Sequence, residues 1–295
     1  MFLPHLNYRD WYWRGWRIRY AFLPSDSDRP PMVFIHGFGV SGNHWRANLA
    51  HFSQDRPVFA LDLLGFGGSS KPAHTYRIGL WVEQVYQFWR QVIARPVVLV
   101  GNSLGALVVA IAASRHPEMV CGAVVISLPD LQALEDLVPR PLRPLKRVME
   151  WLVLRTVGKL IFAQVRRPRT IRTALEQAIY VGDRTRVDQE LINLIAEPAR
   201  DPDASEAFIR LSTSLSTPGY SPSLRAALGK LRIPVLLLWG TKDYAIPYRE
   251  APRLLEQMTY GHLVTLEGMG HCPHDEVPDR VHGEIRQWLM MQQIP

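Results

Sequence analysis

A mostly parallel α/β sheet with helices on both faces, interrupted by an all-helical insertion, is the fold class that this chain of 295 residues predicts. Three observations lead to it. Apolar strand-like runs near 32–36, 57–61, 97–101 and 122–127 alternate with helical patterns near 43–53 and 78–93, as parallel βαβ units do. From Leu128 to about Leu228 the alternation stops, and only leucine-rich helical stretches punctuated by prolines follow. Strand runs then resume at Ile233–Trp239 and His262–Leu266. The expected organisation is therefore a core of residues 1–128 and 229–295 with a helical cap at 129–228. At the start, Trp13–Phe22 suggests two short strands around Gly15. With 47% apolar residues, the chain can bury one large core and still carry an insertion. It contains no internal repeat and no low-complexity segment.

The most informative element is Gly101-Asn102-Ser103-Leu104-Gly105, which follows Pro96–Val100 and precedes Ala106–Ala113. A buried strand, a Gly-x-Ser-x-Gly turn and a helix of small residues together describe a nucleophile elbow. There a serine on a sharp turn is lifted clear of the sheet, and glycines two positions to either side leave room for strand and helix to meet. A serine hydroxyl is a poor nucleophile at neutral pH, so it needs a base, and the base needs an orienting acid.

On this topology the expected order is Ser, then Asp or Glu, then His. Asp243 lies in the loop after Ile233–Trp239, and His271 follows the glycine-rich turn after His262–Leu266. Both then fall at the carboxyl edge of the sheet with Ser103, where open α/β sheets bind ligands. Asp243 has an alternative use, capping a helix that begins near Pro247. Asp130, just past the strand Ala123–Ser127, is the second candidate for the acid. His274 reads as a polar neighbour, and Asp275, Glu276 and Pro278 as the entry to the final helix, with an acidic first turn suited to its dipole. For the oxyanion, the loop His36-Gly37-Phe38-Gly39 after Met32–Ile35 supplies one donor. The backbone N–H groups of Phe38 and Leu104 are the expected pair, and such donors are worth about 3–4 kcal/mol of barrier each.

Composition narrows the setting. Cys121 and Cys272 lack metal-ligand or redox spacing and are expected to be reduced, as in an intracellular protein, with Cys272 a small packing residue. Met1–Asn7 lacks the features of a secretory signal, and no apolar run reaches the length of a membrane span. Charge is uneven. Between Pro139 and Arg172 stand ten basic residues, Arg140 among them, and one acid, Glu150; this net +9 exceeds the +7 of the whole chain and leaves −2 elsewhere. Apolar residues interleave with these charges, a pattern fitting either a basic amphipathic helix on an anionic membrane or a cap whose arginines are simply solvated. No recognition motif accompanies the charge, so nucleic acid is not an expected partner.

These residues carry a resemblance. The core resembles the α/β-hydrolase superfamily over 10–128 and 229–295. More narrowly, His36–Gly39, Asn43-His44-Trp45-Arg46-Ala47-Asn48, Asp62-Leu63-Leu64-Gly65-Phe66-Gly67-Gly68-Ser69-Ser70-Lys71-Pro72 and Gly101–Gly105 resemble the pheophytinase and chlorophyll dephytylase group, which cleaves the phytyl ester of chlorophyll pigments. Ala106 departs from the group, which usually has a glycine there. The resemblance implies Ser103 as nucleophile, Asp243 as acid and His271 as base, the assignment already reached from the residues. It also implies a lipophilic ester substrate, no metal or organic cofactor, and a cytoplasmic location, peripheral on an intracellular, thylakoid-type membrane. Trp151 and Phe162 of the cap are candidates to receive the chain of such an ester.

The expectation is thus a carboxylic ester hydrolase working through an acyl-enzyme. A general carboxylesterase or a carbon–carbon bond hydrolase would use the same triad. Haloalkane dehalogenases and epoxide hydrolases are disfavoured, because their nucleophile is an aspartate. From a different class, a ligand-binding protein on a hydrolase fold is the rival; the intact Ser103, Asp243, His271 and glycine-rich loop argue against it.

Overall fold

A computed structural model of the protein describes residues 6–136, 139–215 and 217–295. Met1–His5, and with them most of the N-terminal stretch discussed above, lie outside the described residues, as does the side chain of Arg140. Eight strands form one sheet: β1 (Asn7–Trp13), β2 (Trp16–Leu23), β3 (Met32–Ile35), β4 (Val58–Leu61), β5 (Val97–Asn102), β6 (Val120–Ile126), β7 (Val235–Gly240) and β8 (Gly261–Leu266). Their spatial order is β1-β2-β4-β3-β5-β6-β7-β8. The pairs β1–β2 and β2–β4 are antiparallel and all others parallel. The N-terminal pair is a hairpin whose two-residue loop, Arg14-Gly15, has positive φ at both positions (52° and 79°), the twist that matches flanking strands.

The central strands β3, β4, β5 and β7 are buried at every position, because helices cover both faces. One face holds the helices Ile78–Phe88, Leu104–Arg115 and Leu224–Leu228; on the other, Trp45 and Phe52 pack with Ile285, Trp288 and Leu289 of the final helix, Pro278–Met291. The helical pattern near 43–53 is broken into two short pieces, Gly42–Trp45 and Leu49–Phe52. Here polar side chains at 44, 46 and 48 are drawn into a buried network, and Gly42 N–H is taken by Asp62 (2.7 Å). Between β6 and β7 the described residues form helices and no strand; the longest is Arg143–Val165, which packs on Ala204–Leu215 through Phe162 and Phe208, ring centroids 5.3 Å apart. Leu224 and Leu228, at the end of this insertion, pack in the main core, in one cluster with Leu211 and Tyr220.

The chain enters β3, crosses to β4 on one side, and then returns to β5 on the other. That reversal opens a crevice beyond the carboxyl ends of β3 and β5, the place where such sheets bind ligands. The helix Leu104–Arg115 starts there and is buried from Leu104 to Ala113, which its run of alanine, glycine and valine permits. A Cβ on Gly105 would collide with the Ile35 carbonyl oxygen and come within 2.6 Å of that of His36, so glycine sets the helix–strand distance. Gly105→Ala is expected to cost about 3 kcal/mol or more in urea unfolding, the upper range for overpacking against an unyielding neighbour.

Candidate active site

Ser103 ends β5 in a conformation that L-residues seldom adopt, φ 54° and ψ −117°. Such strain costs about 1–3 kcal/mol and persists only where the surroundings enforce it. Here Ser103 N–H donates to the Ile126 carbonyl (2.9 Å) and its own carbonyl accepts from Leu107 N–H (3.1 Å). A Cβ on Gly101 would lie 2.5 Å from the Gly105 carbonyl carbon, so the chain can fold back on itself only with glycine at that position. Ser103 is half-buried at the crevice.

His271, on the loop after β8, and Asp243, on the loop after β7, are joined by an Nδ1···Oδ2 contact of 2.9 Å, with both side chains buried. With the carboxylate as acceptor, Nδ1 carries the proton and Nε2 keeps a lone pair. The other Asp243 oxygen accepts from the N–H groups of Ala245 (2.9 Å) and Ile246 (2.8 Å). Asp243 thus caps the turn at Ala245–Ile246 with one oxygen and meets the histidine with the other. Asp130 is engaged elsewhere, accepting from Arg225 Nε (2.9 Å) and from the N–H groups of Gln132 and Ala133.

Two residues not singled out individually in the sequence tie the histidine to the elbow. Asn102 Nδ2 donates to the His271 carbonyl (3.1 Å), as does Ser127 Oγ (3.3 Å), from the end of β6. Asn102 was legible only as part of the Gly-Asn-Ser motif, whereas nothing in the sequence marks Ser127, whose φ is 53°. Cys272 packs in the insertion's apolar cluster with Tyr180 and Leu191, and burial pushes its thiol far above the ordinary range.

The loop after β3 lies against the elbow: a Cβ on Gly37 would stand 3.5 Å from Ser103 Cβ and 3.2 Å from Asn102 Oδ1. His36 is fully buried, and burial lowers its pKa, so its ring is neutral. Its Nε2 accepts from Leu63 N–H (3.0 Å), which leaves Nδ1 to donate to the Gly37 carbonyl (2.7 Å). The carbonyl and N–H of one trans peptide point in opposite directions, so the Phe38 N–H is turned away from His36. Leu104 N–H, at the start of the elbow helix, has no carbonyl of its own helix to meet.

Beyond Phe38 lies a cavity of about 450 Å³, part of it open to solvent. Phe38 and Phe66 of the core line it, with Phe162, Ile195, Phe208 and Leu211 of the insertion opposite. Its one cation, Lys71, is spoken for by Asp201 (3.0 Å) and the Gly67 carbonyl (2.8 Å). Phe162 thus lines the cavity, but Trp151 does not: it is 47% exposed, with the Arg155 guanidinium 5.0 Å from its ring centroid.

Asp275 and Glu276 differ from their expected role. They end a short helix, Pro273–Glu276, ahead of the final helix, and both are buried. Asp275 takes Arg46 in a two-pronged pair (3.1 Å each), Tyr180 Oη (2.9 Å) and Arg186 Nη2 (3.0 Å); Arg46 also reaches Asp188 (2.7 Å). Their carboxylates are used between core and insertion rather than for a helix dipole. His274 is the polar neighbour of His44, at 3.3 Å, and His44 in turn meets Tyr180 Oη (2.7 Å). Burial works against the Asp275 charge, but the hydrogen bonds and charge of Arg46 prevail and hold its carboxyl at about 2. Burial lowers His44 to about 4. Both shifts mean that the unfolded chain binds protons before the folded one, so stability rises with pH. Resistance to urea is expected to weaken as pH falls from 6.5 to 4, through His44, and again below 3.8, through Asp275. The second window is worth about 2 kcal/mol.

Comparison with known proteins places the chain. The profile of the alpha/beta hydrolase family matches residues 32–284. A chloroplast pheophytinase of Arabidopsis thaliana is 25% identical over 92% of this chain, which spans 64% of that protein's length. A monoacylglycerol lipase of Bos taurus is 22% identical, covering 91% of this chain and 81% of the lipase. Among solved structures, a bacterial membrane phospholipase A superposes with a TM-score of 0.76 at 26% identity, over 98% of this chain and 87% of that one. A serine hydrolase of carbazole degradation, 19% identical, shares the fold with a TM-score of 0.78 over 97% of this chain and 99% of its own. The chain belongs to the alpha/beta hydrolase family.

Proposed function

We propose that the protein is a serine hydrolase of lipophilic carboxylic esters, with Ser103 as nucleophile, His271 as base and Asp243 as orienting acid. The observation that carries this reading is the 2.9 Å bond between His271 Nδ1 and Asp243, on the sheet edge where Ser103 is held in its strained turn. His271 Nε2 takes the Ser103 proton as Oγ attacks the ester carbonyl carbon. The N–H groups of Phe38 and Leu104 hold the resulting oxyanion, and Asp243 stabilises the imidazolium. His271 then protonates the leaving alcohol as the ester C–O bond breaks. Water repeats the sequence on the acyl-enzyme: His271 removes its proton and returns one to Ser103 as the acid departs.

For the substrate, the phytyl ester of chlorophyll or pheophytin is the leading candidate. Support comes from the pheophytinase likeness and from the largely apolar lining of the cavity beside Phe38. A glycerolipid ester is the second reading, favoured by the likeness to a monoacylglycerol lipase and a phospholipase A. The apolar lining suits the hydrocarbon chain of either substrate. Residues 129–228, or the greater part of them, act on this reading as a cap over the crevice.

The same reading sets the helix Arg143–Val165 on an anionic membrane. Leu145, Val148, Met149, Leu152 and Leu160 are between 46 and 71% exposed, with lysines and arginines interspersed. No helix among the described residues is long and apolar enough to cross a membrane, so the contact is a surface one. Phe162 of this helix lines the cavity, which gives an insoluble ester a short route from bilayer to site.

Four measurements test these assignments. A fluorophosphonate probe is expected to label the protein at Ser103; Ser103→Ala should abolish labelling and turnover with the fold intact, and retained activity would refute the nucleophile. Asp243→Asn should lower kcat by about 10⁴-fold, while Asp130→Asn should leave kcat unchanged. Alcohol release from pheophytin, chlorophyll, monoacylglycerol and nitrophenyl esters ranks the substrates. Sedimentation should be stronger with anionic than with neutral liposomes, and equal binding to both ends the electrostatic membrane contact.

A further inference from the structure

The loop that carries His271 lies between β8 and the short helix Pro273–Glu276 and has no regular structure of its own. It is held from outside. His271 N–H donates to the Ile179 carbonyl of the insertion (2.9 Å). The preceding N–H, that of Gly270, donates to Glu276 Oε1 (3.0 Å). The other oxygen of the same carboxylate accepts from the N–H groups of Gly182 (2.7 Å) and Asp183 (3.1 Å), again in the insertion. One buried carboxylate thus closes a ring that runs from Gly270 to His271, across to Ile179, along to Gly182 and back.

There is no slack in this ring. A Cβ on Gly182 would stand 2.7 Å from Glu276 Oε2 and 2.9 Å from the Gly268 carbonyl oxygen. A Cβ on Gly270 would press on the Ile179 carbonyl and lie 2.7 Å from Glu276 Oε1. The chemistry demands a carboxylate: N–H donors face both of its ends, and an amide would set its own N–H₂ against one of them. Ester cleavage as described above makes no use of Glu276.

The geometry points to Glu276 as a positioning residue for His271: its carboxylate binds the histidine loop to residues 179–183 and so fixes the imidazole relative to Asp243 and Ser103. This assignment rests on the triad reading of the preceding section. It makes one end of the insertion part of the mounting of the base rather than a freely swinging cover.

Glu276→Gln and Gly182→Ala attack the ring from its two sides, while Asp130→Asn weakens the Asp130–Arg225 ion pair elsewhere and serves as control. Each folded variant is compared with the unaltered protein by the far-downfield proton resonance of His271 Nδ1–H, assigned by its loss in Asp243→Asn. The rate of fluorophosphonate labelling, and kcat and KM on a nitrophenyl ester, are read alongside. In both ring variants the resonance is expected to shift or broaden, with labelling and kcat falling by about ten- to a hundredfold at little-changed KM, as for a displaced catalytic group. The control should match the unaltered protein in all of these. A folded Glu276→Gln, or a folded Gly182→Ala if the first does not fold, with resonance, labelling and kcat unaltered overturns the proposal even if its melting temperature drops. If the unaltered protein is not labelled, the hydrolase reading fails, and the resonance alone still decides whether Glu276 positions the ring.

Discussion

The backbone of Ser103 is the constraint on which the rest of the site depends. A φ of 54° at a non-glycine residue stores strain, and it is tolerated because Gly101 and Gly105 let β5 and the following helix close to contact distance. The same closeness brings the end of β3 and its glycine loop against the elbow, with Gly37 beside Ser103. It also sets Asn102 where its amide meets the His271 carbonyl. The elbow, the loop after β3 and the His271 loop thereby meet at a single edge of the sheet.

Rigidity at that edge has a second source, the buried polar seam between core and insertion. Arg46, Asp275, Tyr180 and His44 form a connected set in which burial alone would favour neutrality. The pair of Arg46 with Asp275 reverses that tendency and keeps the carboxylate charged. Removing one partner of such a pair leaves the other unpaired and costs more than the pair contributes. The insertion is therefore held firmly at the histidine loop, while its longest helix presents exposed leucines.

Much of this was legible along the chain. Six parallel-sheet runs, the elbow, the loops bearing Asp243 and His271, and the strandless insertion are local patterns of periodicity, glycine spacing and turn residues. The helical pattern near 43–53 is realised as two short pieces, because periodicity does not register that His44, Arg46 and Asn48 are drawn towards partners near residue 275. Asp275 and Glu276 read as a helix entry for the same reason: an acid in a first turn looks alike whether it meets a dipole or an arginine 229 positions away.

The sequence by itself determined the sheet, its helical interruption and the glycine-flanked turn that carries Ser103, since all of these are set by neighbours within a few positions. Only the tertiary structure decided which aspartate meets His271, that Phe162 and not Trp151 faces the cavity, and that a glutamate after the histidine ties its loop to the insertion. Those choices depend on separations of a few ångströms between segments far apart in the chain, and the order of residues carries no measure of such distances until the sheet has brought the segments together.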